Sequence, residues 1–227
     1  MPKYFQTNNY IRSSAINMFM KFGDVQYAEQ LFEMMKKKDI VTYGAMMKGY
    51  VENNMSEKAL DLFEQIPFSL NDVCYIVIFN ACVQLLNDCA KQIGTKLLEL
   101  MPKHFYNNNV LITSVIDMLM KFGDVTTAEH FFQMNKKKIL VTYRAMMNGY
   151  NINNEPLKCF QLLEEIKEHG FILDEIVSII VISACTRLSM RSICQSIIDH
   201  IPSHIYNNQR IRNSLIHVWV CIHCLDS

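Results

Sequence analysis

The chain has few of the residues that build tight turns. Only 7 Gly and 5 Pro occur among its 227 residues, and this disfavours sandwiches and barrels made of many short strands. Half of the residues are apolar and 19% are charged, a balance that excludes a disordered chain. Together with 15 methionines and abundant leucine, lysine, glutamate and alanine, this composition predicts an all-α protein.

The chain also lacks an excess of charge of either sign. Its 22 basic and 22 acidic side chains give a formal net charge of zero. Non-specific binding of nucleic acid depends on lysine and arginine side chains that neutralise phosphates. The balance therefore excludes a protein that holds nucleic acid through bulk charge alone.

No stretch of the sequence is apolar for long enough to cross a membrane. The longest apolar stretch, residues 73–86, is interrupted by Asn80 and Gln84, whereas a membrane-spanning helix needs about 20 apolar residues. Residues 1–9 have neither the apolar core of a signal peptide nor the arginine-rich pattern of a transit peptide. We therefore expect no membrane span, and no targeting segment is visible.

Cysteine is present, but its placement does not indicate a disulfide framework. Cys82 and Cys185 each follow an alanine in an apolar helical stretch, where a free cysteine is a small apolar side chain. This placement favours a reducing compartment. Cys221 and Cys224 have the spacing of half a zinc site, with His217 as one further nitrogen. Since no second ligand pair lies nearby, we predict a divergent tail and no metal site.

The dominant feature of the sequence is an internal repeat. Residues 4–54 align without a gap to residues 104–154, with about 29 of 51 positions identical, and a third copy begins at His204. Within each period of about 100 residues, apolar positions at helical spacing define helix–turn–helix units of roughly 31 to 37 residues. Units of this size cannot bury their apolar faces alone, so we predict an α-solenoid of stacked repeats.

Local signals place the helix ends within the units. Gly23 is expected to end a first helix, Asp24 to cap the second helix of that unit, and Ser56 to cap the second helix of the next. The lysines at 36–38 and 136–138 complement the dipole at the C-termini of second helices. We predict a remnant over residues 1–8, six repeats over approximately 9–39, 40–71, 72–108, 109–139, 140–174 and 175–208, and a partial repeat with a divergent tail over 209–227.

Three segments resemble the units of pentatricopeptide repeat proteins. Residues 15–35 (AINMFMKFGDVQYAEQLFEMM) are similar to the short unit of that family, and residues 39–66 (DIVTYGAMMKGYVENNMSEKALDLFEQI) to its standard unit. Residues 174–185 (DEIVSIIVISAC) resemble its long unit. The order short, standard, long occurs twice, as in the P-L-S subclass of mixed-length units. The uniform period of about 34 residues and the W-x₂-L-G pattern of tetratricopeptide repeats are absent.

The resemblance implies binding of single-stranded RNA. In that family the first helices of successive units line a concave groove that takes one base per unit. An apolar residue at the second position of each unit wedges against the base, and the fifth and last positions read its edge. The alternative for the apolar side chains is packing against neighbouring helices. The second positions in this sequence are Tyr10, Val41, Val73, Val110, Val141, Ile176 and Arg210.

The reading positions follow the family pattern only in part. Ser13 with Asp39 resembles the purine-reading pair of a small hydroxyl and an acid, whereas Thr113 has Ile139 as its partner. Lys48 and Arg144 are candidate phosphate contacts. The alternative for each is an ordinary solvated side chain on the surface. Base-by-base recognition is therefore doubtful, while stacking and backbone contact remain open. The candidate reading residues, by family position, are Ser13, Asp39, Gly44, Asn71, Thr113, Arg144, Asp174 and Asn213.

No catalytic motif accompanies the repeats. The His-x-Glu of the deaminase-like domain that some members of the subclass carry is absent, as are a glycine-rich phosphate loop and a GxSxG elbow. We predict a non-catalytic binding module without a cofactor. By the resemblance, it acts in organellar-type RNA processing, editing or stability, with the mitochondrion favoured.

Two other interpretations remain open. The neutral charge and the incomplete reading pairs suit a protein–protein scaffold that uses the same concave face. A non-functional gene fragment is the other, since the repeat pattern is cut at both ends. If the last helix lacks a partner, its apolar side chains form an uncapped surface, and we expect self-association through it. These side chains are Leu215, Ile216, Trp219 and Val220.

Overall fold

The computed structural model describes residues 9–67, 69–188 and 208–223. All regular secondary structure in these residues is helical, which confirms the all-α prediction. A short 3₁₀ helix, Lys103–Asn107, precedes α7. The α-helices are α1 (Asn9–Lys21), α2 (Val25–Glu33), α3 (Ile40–Glu52), α4 (Ser56–Phe63), α5 (Asp72–Leu85), α6 (Asp88–Glu99), α7 (Asn109–Lys121), α8 (Val125–Met134), α9 (Leu140–Ile152), α10 (Pro156–Glu168), α11 (Glu175–Leu188) and α12 (Gln209–His223).

The chain divides into two compact units, residues 1–118 and 119–227. In the first unit, α1 packs on α2 and α3, and α3 packs on α4 and α5. In the second unit, α9 packs on α10 and α11, and α11 packs on α12. A first helix thus contacts both its own second helix and the next first helix, which is the stacking of an α-solenoid. No helix in the described part of the chain has the length and apolarity that a membrane span requires.

The turns between helices follow the sequence signals only in part. Gly23, at φ +77°, has the left-handed conformation that reverses the chain after α1. Asp24 lies at the N-cap of α2 but makes no side-chain capping bond, whereas Asp124 accepts one from the Thr127 N–H at 3.1 Å. The expectation that Ser56 caps α4 is wrong. Ser56 lies inside that helix, buried, and its hydroxyl donates to Gln84 of α5.

The first helices come very close to each other. A Cβ atom built on Gly49 of α3 would lie only 2.2 Å from Cγ and 2.6 Å from Cβ of Met20 on α1. At the end of α3, the Asn53 side-chain amide donates to the Met20 carbonyl at 2.9 Å and to the Gly49 carbonyl at 2.8 Å. Glycine at this position therefore lets two backbones approach, and an amide joins them. The second unit repeats the arrangement with Gly149, Met120 and Asn153.

A polar bridge joins the second helix of one repeat to both helices of the next. In the first unit the Tyr50 hydroxyl donates to Glu29 Oε1 at 2.9 Å, and Lys58 Nζ donates to the same oxygen at 2.8 Å. The bridge thus ties α2 to α3 and α4. Its copy in the second unit consists of Tyr150, Glu129 and Lys158, with distances of 2.9 and 2.7 Å.

Cysteines and lysines lie as the sequence predicts. Cys82 and Cys185 are buried and neither is part of a disulfide, and burial raises the pKa of Cys82 to about 12. Lys38 Nζ donates to the carbonyl of Met35 at 3.2 Å, just beyond the end of α2. No cluster of three metal-ligating side chains occurs among the described residues. The prediction that Cys221, Cys224 and His217 form no metal site falls outside these residues, since neither Cys224 nor the side chains of His217 and Cys221 are described.

The last helix, α12, is half covered. Ile211 and Val218 are buried against Ile182 and Cys185 of α11. Two of its apolar side chains, Ile216 and Val220, are 62% and 47% exposed. The helix therefore belongs to the repeat stack and also presents an apolar face.

Gly49→Ala is predicted to destabilise the fold by about 1–3 kcal/mol, because the new methyl group overlaps Cβ of Met20 as well as its flexible end. The matched control on the same helix is Gly44→Ala, whose methyl group would meet only Cys74 Sγ at 3.5 Å. This control is expected to be neutral or to stabilise by up to about 1 kcal/mol, since alanine favours helix. Urea unfolding measures both, and equal midpoints would contradict the close approach.

Acid should weaken the fold partly through Glu29 and Glu129. The hydrogen bond from Lys58 holds the pKa of Glu29 below its ordinary value of 4.5, and Lys158 does the same for the pKa of Glu129. A carboxyl that binds protons less readily in the folded chain stabilises it above about pH 4.5, and this contribution is lost as the pH falls through the lowered pKa. The effect is modest, because both bridges are partly exposed.

In the double variant Glu29→Gln with Glu129→Gln, the free energy of unfolding is therefore predicted to fall less steeply as the pH drops below 4.5. Urea unfolding at a series of pH values measures this slope. Asp61→Asn, at an exposed position later in α4 and away from its first turn, is the control and should leave that slope as it is. A slope unchanged in the double variant would show that the bridges do not couple to acid unfolding.

Candidate nucleic-acid interface

The apolar side chains at the second positions are exposed. In the described repeats the exposed fraction is 57% for Val41, 47% for Val73, 58% for Val110, 49% for Val141 and 51% for Ile176. Each lies at the start of a first helix, and the residue that follows it is fully buried in every case. The alternative that these side chains pack against neighbouring helices accounts for only part of their surface, because about half of each faces solvent. Tyr10 is 78% exposed, and Arg210 is exposed as well.

The residues at the last positions begin the next first helix as N-caps. Asp39 Oδ1 accepts the Thr42 N–H at 2.9 Å, Asn71 Oδ1 accepts the Cys74 N–H at 2.9 Å, and Asp174 Oδ1 accepts the Val177 N–H at 3.0 Å. Such a cap fixes the side chain at the helix N-terminus, two residues before the exposed aliphatic. Ile139 has no acceptor, and α9 starts without a side-chain cap.

The predicted pair of Ser13 and Asp39 is joined through a third side chain. Thr42 Oγ1 donates to Asp39 Oδ1 at 2.7 Å and lies 3.0 Å from the Ser13 hydroxyl, which is 7% exposed. Asn9 Nδ2 donates to the other carboxylate oxygen at 3.3 Å. Burial raises the pKa of Asp39, but the hydrogen bonds from Thr42 and Asn9 outweigh it and the net pKa is lowered. The carboxylate is therefore ionised at neutral pH.

The reading pair of the next repeat, Gly44 and Asn71, has free space at one residue and an unused amide group at the other. Gly44 has no side chain, and a Cβ built there would meet only Cys74 Sγ within 4 Å. Asn71 is half-buried and uses its Oδ1 atom for the cap. Its Nδ2 group makes no hydrogen bond with any residue that the structure describes. This repeat therefore presents a donor that a base can use.

The corresponding reading pair in the second unit, Arg144 and Asp174, is closed in the sense that its two side chains bind each other. The Arg144 guanidinium forms an ion pair with the second carboxylate oxygen of Asp174. The two side chains are 22% and 35% exposed, and Arg144 Nε is buried without a hydrogen-bond partner. Arg144 is thus engaged inside the protein and is not a free surface cation.

Three remaining candidate residues, Thr113, Asn213 and Lys48, make contacts within their own helices. Thr113 Oγ1 donates to the Asn109 carbonyl at 2.7 Å, and Asn213 is exposed and accepts from Gln209 at 3.1 Å. Lys48 is exposed and lies 3.7 Å from Glu52 on its own helix. The sequence reading missed Thr42 as the link between Ser13 and Asp39. The spacing of Asp39 and Thr42, a cap acceptor and the third residue of the helix, is the signal that could have identified it.

Comparison with known proteins identifies the repeats. A family model described as PPR repeat matches residues 11–40, 41–67 and 141–171. A chloroplastic pentatricopeptide repeat-containing protein of Arabidopsis thaliana is 30% identical over 190 residues, covering 82% of this chain and 26% of that protein. A second relative from the same plant, with mitochondrial in its name, is 27% identical over 212 residues, covering 90% of this chain and 33% of that protein. The chain thus spans about a quarter to a third of these relatives.

A solved structure shows the same fold. The crystal structure of the pentatricopeptide repeat protein PPR10 from maize matches with a TM-score of 0.53 at 13% identity, covering 95% of this chain and 36% of that chain. At this identity the match supports the architecture alone, and it agrees with the helical stacking described above. The predicted solenoid and the resemblance to pentatricopeptide repeat proteins are confirmed, and the P-L-S order of the units stays a prediction.

Asp39→Ala is predicted to destabilise the fold by roughly 1 kcal/mol, because the Thr42 N–H and hydroxyl lose their acceptor. Asp39→Asn keeps an oxygen in the capping position and is expected to lose less than half of that. Asn71 caps the next first helix in this way. Urea unfolding of both variants is the measurement. Equal losses would mean that the charge of Asp39, and not its cap, stabilises this end of α3.

Proposed function

The chain contains pentatricopeptide repeats, and we propose that it binds single-stranded RNA along the first helices of these repeats, without catalysis. The observation that carries this proposal is the recurrence of a half-exposed aliphatic side chain at the second position of five described repeats. Single exposed apolar residues are common on protein surfaces. Recurrence at one register, next to a fully buried residue each time, indicates that these positions are kept apolar for a ligand within each of the two units.

The neighbouring chemistry suits unpaired bases. The faces of a splayed nucleobase are apolar and stack on or against such side chains, and its edge forms hydrogen bonds. Val41 and Val73 in the first unit supply the apolar contacts, and Asn71 supplies a polar group fixed by its cap. A duplex would not offer these base faces, so single strands are the preferred ligand.

The charge balance limits how the RNA is held. The 22 basic side chains are matched by 22 acidic ones, and the two candidate phosphate contacts, Lys48 and Arg144, both lie beside carboxylates. Counterion release is therefore a small part of the binding energy, and stacking is a large part. Binding should be tolerant of sequence, with a shallow dependence on salt. We place it in organellar-type RNA processing, editing or stability, as the family resemblance implies.

Val41→Ala with Val73→Ala is predicted to weaken binding of a labelled single-stranded RNA by roughly 1 kcal/mol, about fivefold in Kd, because bases lose part of their apolar contact. The control is Ile172→Ala, which removes a side chain that is 81% exposed in the segment between α10 and α11. Fluorescence anisotropy measures the Kd values, with duplex RNA as a competitor. No binding by the unaltered protein at low salt would overturn the proposed function.

A protein–protein scaffold is the second candidate. The observation that favours it is that several reading groups are engaged inside the protein, as in the Ser13–Thr42–Asp39 chain and the Arg144–Asp174 pair. Affinity capture from an extract with and without ribonuclease separates the two. A scaffold retains the same partners after ribonuclease, whereas an RNA-binding protein loses those that were joined to it through RNA.

A further inference from the structure

Two repeats of this chain carry nearly the same first helix but differ at the candidate reading positions. Residues 41–50 and 141–150 differ only where Gly44 and Lys48 are replaced by Arg144 and Asn148. The last position of the repeat differs too, being Asn71 in the first unit and Asp174 in the second. The first pair is an open space beside an amide, and the second is an ion pair.

The charge of Asp174 is not required for its role as a cap. Asn71 caps α5 at 2.9 Å with an amide oxygen, and Asp174 caps α11 at 3.0 Å with a carboxylate oxygen. Asparagine and aspartate are equally good caps. What the second carboxylate oxygen adds is a counterion for Arg144.

Arg144 has the features of an anion-binding side chain. Its side chain is 22% exposed, and its Nε–H is buried with no acceptor. Val141, one turn earlier on α9, is 49% exposed. A guanidinium binds carboxylates and phosphates with the same fork of N–H donors. The position taken by the Asp174 carboxylate is therefore one that a phosphodiester could take.

We propose that Asp174 is an internal competitor for RNA phosphate at Arg144, so that the repeat at residues 140–174 is closed to the backbone of a bound strand. This inference rests on the proposed function. The competing carboxylate is part of the chain and is always present, whereas a phosphate must arrive from solution. Removal of its charge should convert Arg144 into a phosphate contact.

The test is Asp174→Asn, which keeps the helix cap and removes the competing charge. One added phosphate contact should steepen the slope of log K against log salt by about 0.7. If the contact contributes nothing at 1 M salt, the same slope corresponds to about eightfold tighter binding at 50 mM and about threefold at 200 mM. The measurement is anisotropy of a labelled single-stranded RNA at four salt concentrations. Asp174→Ser, a second neutral cap, replaces Asp174→Asn if circular dichroism shows that the latter does not fold.

Two controls separate this effect from a general change in charge. Glu175→Gln removes one negative charge from the adjacent residue, which makes no ion pair with Arg144, and should leave the slope unchanged. Arg144→Gly with Asp174→Asn recreates the pair that Gly44 and Asn71 form in the first unit, and it should lose the added slope because no guanidinium remains.

The outcomes distinguish the two proposals. A steeper slope in Asp174→Asn alone, measured against an unaltered protein that binds, supports the competitor. If the unaltered protein binds and Asp174→Asn behaves like Glu175→Gln, the competitor is wrong and RNA binding stands. A steeper slope that persists in the double variant, Arg144→Gly with Asp174→Asn, also overturns the competitor, since Arg144 would not be the source of that slope. If no variant binds, both proposals are wrong.

Discussion

The close approach of successive first helices is the contact on which the rest of the structure depends. It requires glycine at 49 and 149, because any Cβ there would overlap Met20 or Met120. Once the backbones are this close, the register between repeats has little freedom, since protein interiors do not deform continuously. That register decides which residue after each cap is buried and which is left at the surface. Within each unit, the exposure of these aliphatic side chains is thus a consequence of the packing beneath them.

The helix caps connect this packing to binding. One oxygen of Asp39, Asn71 or Asp174 is used to start a helix, which holds the side chain in one orientation. Its second polar atom is then presented without further loss of conformational entropy, an advantage in any binding site. What that atom meets differs between repeats. The second oxygen of Asp39 accepts a hydrogen bond from Asn9, and the second oxygen of Asp174 pairs with Arg144. The second polar atom of Asn71 has no protein partner among the described residues.

The sequence predicted the helices and the repeats well because those depend on short-range periodicity. Val41 and Thr42 show the limit of this reading: both lie in the same turn, yet one is 57% exposed and the other fully buried. The links between Ser13 and Thr42, and between Arg144 and Asp174, join residues about 30 positions apart. They exist only because two repeats stack in one register, which no local pattern encodes. Ser56 failed as a cap for the same reason, since its partner is Gln84 in the next repeat.

The bridge formed by Tyr50, Glu29 and Lys58 has a consequence for local opening. A solenoid held only by nearest-neighbour contacts can fray one repeat at a time from either end. A single carboxylate that accepts from both helices of the following repeat adds a modest coupling between the opening of that repeat and the opening of the preceding second helix. Amide protons on α3 and α4 would then exchange with solvent somewhat less independently of those on α2, and the same holds for α9 and α10 relative to α8.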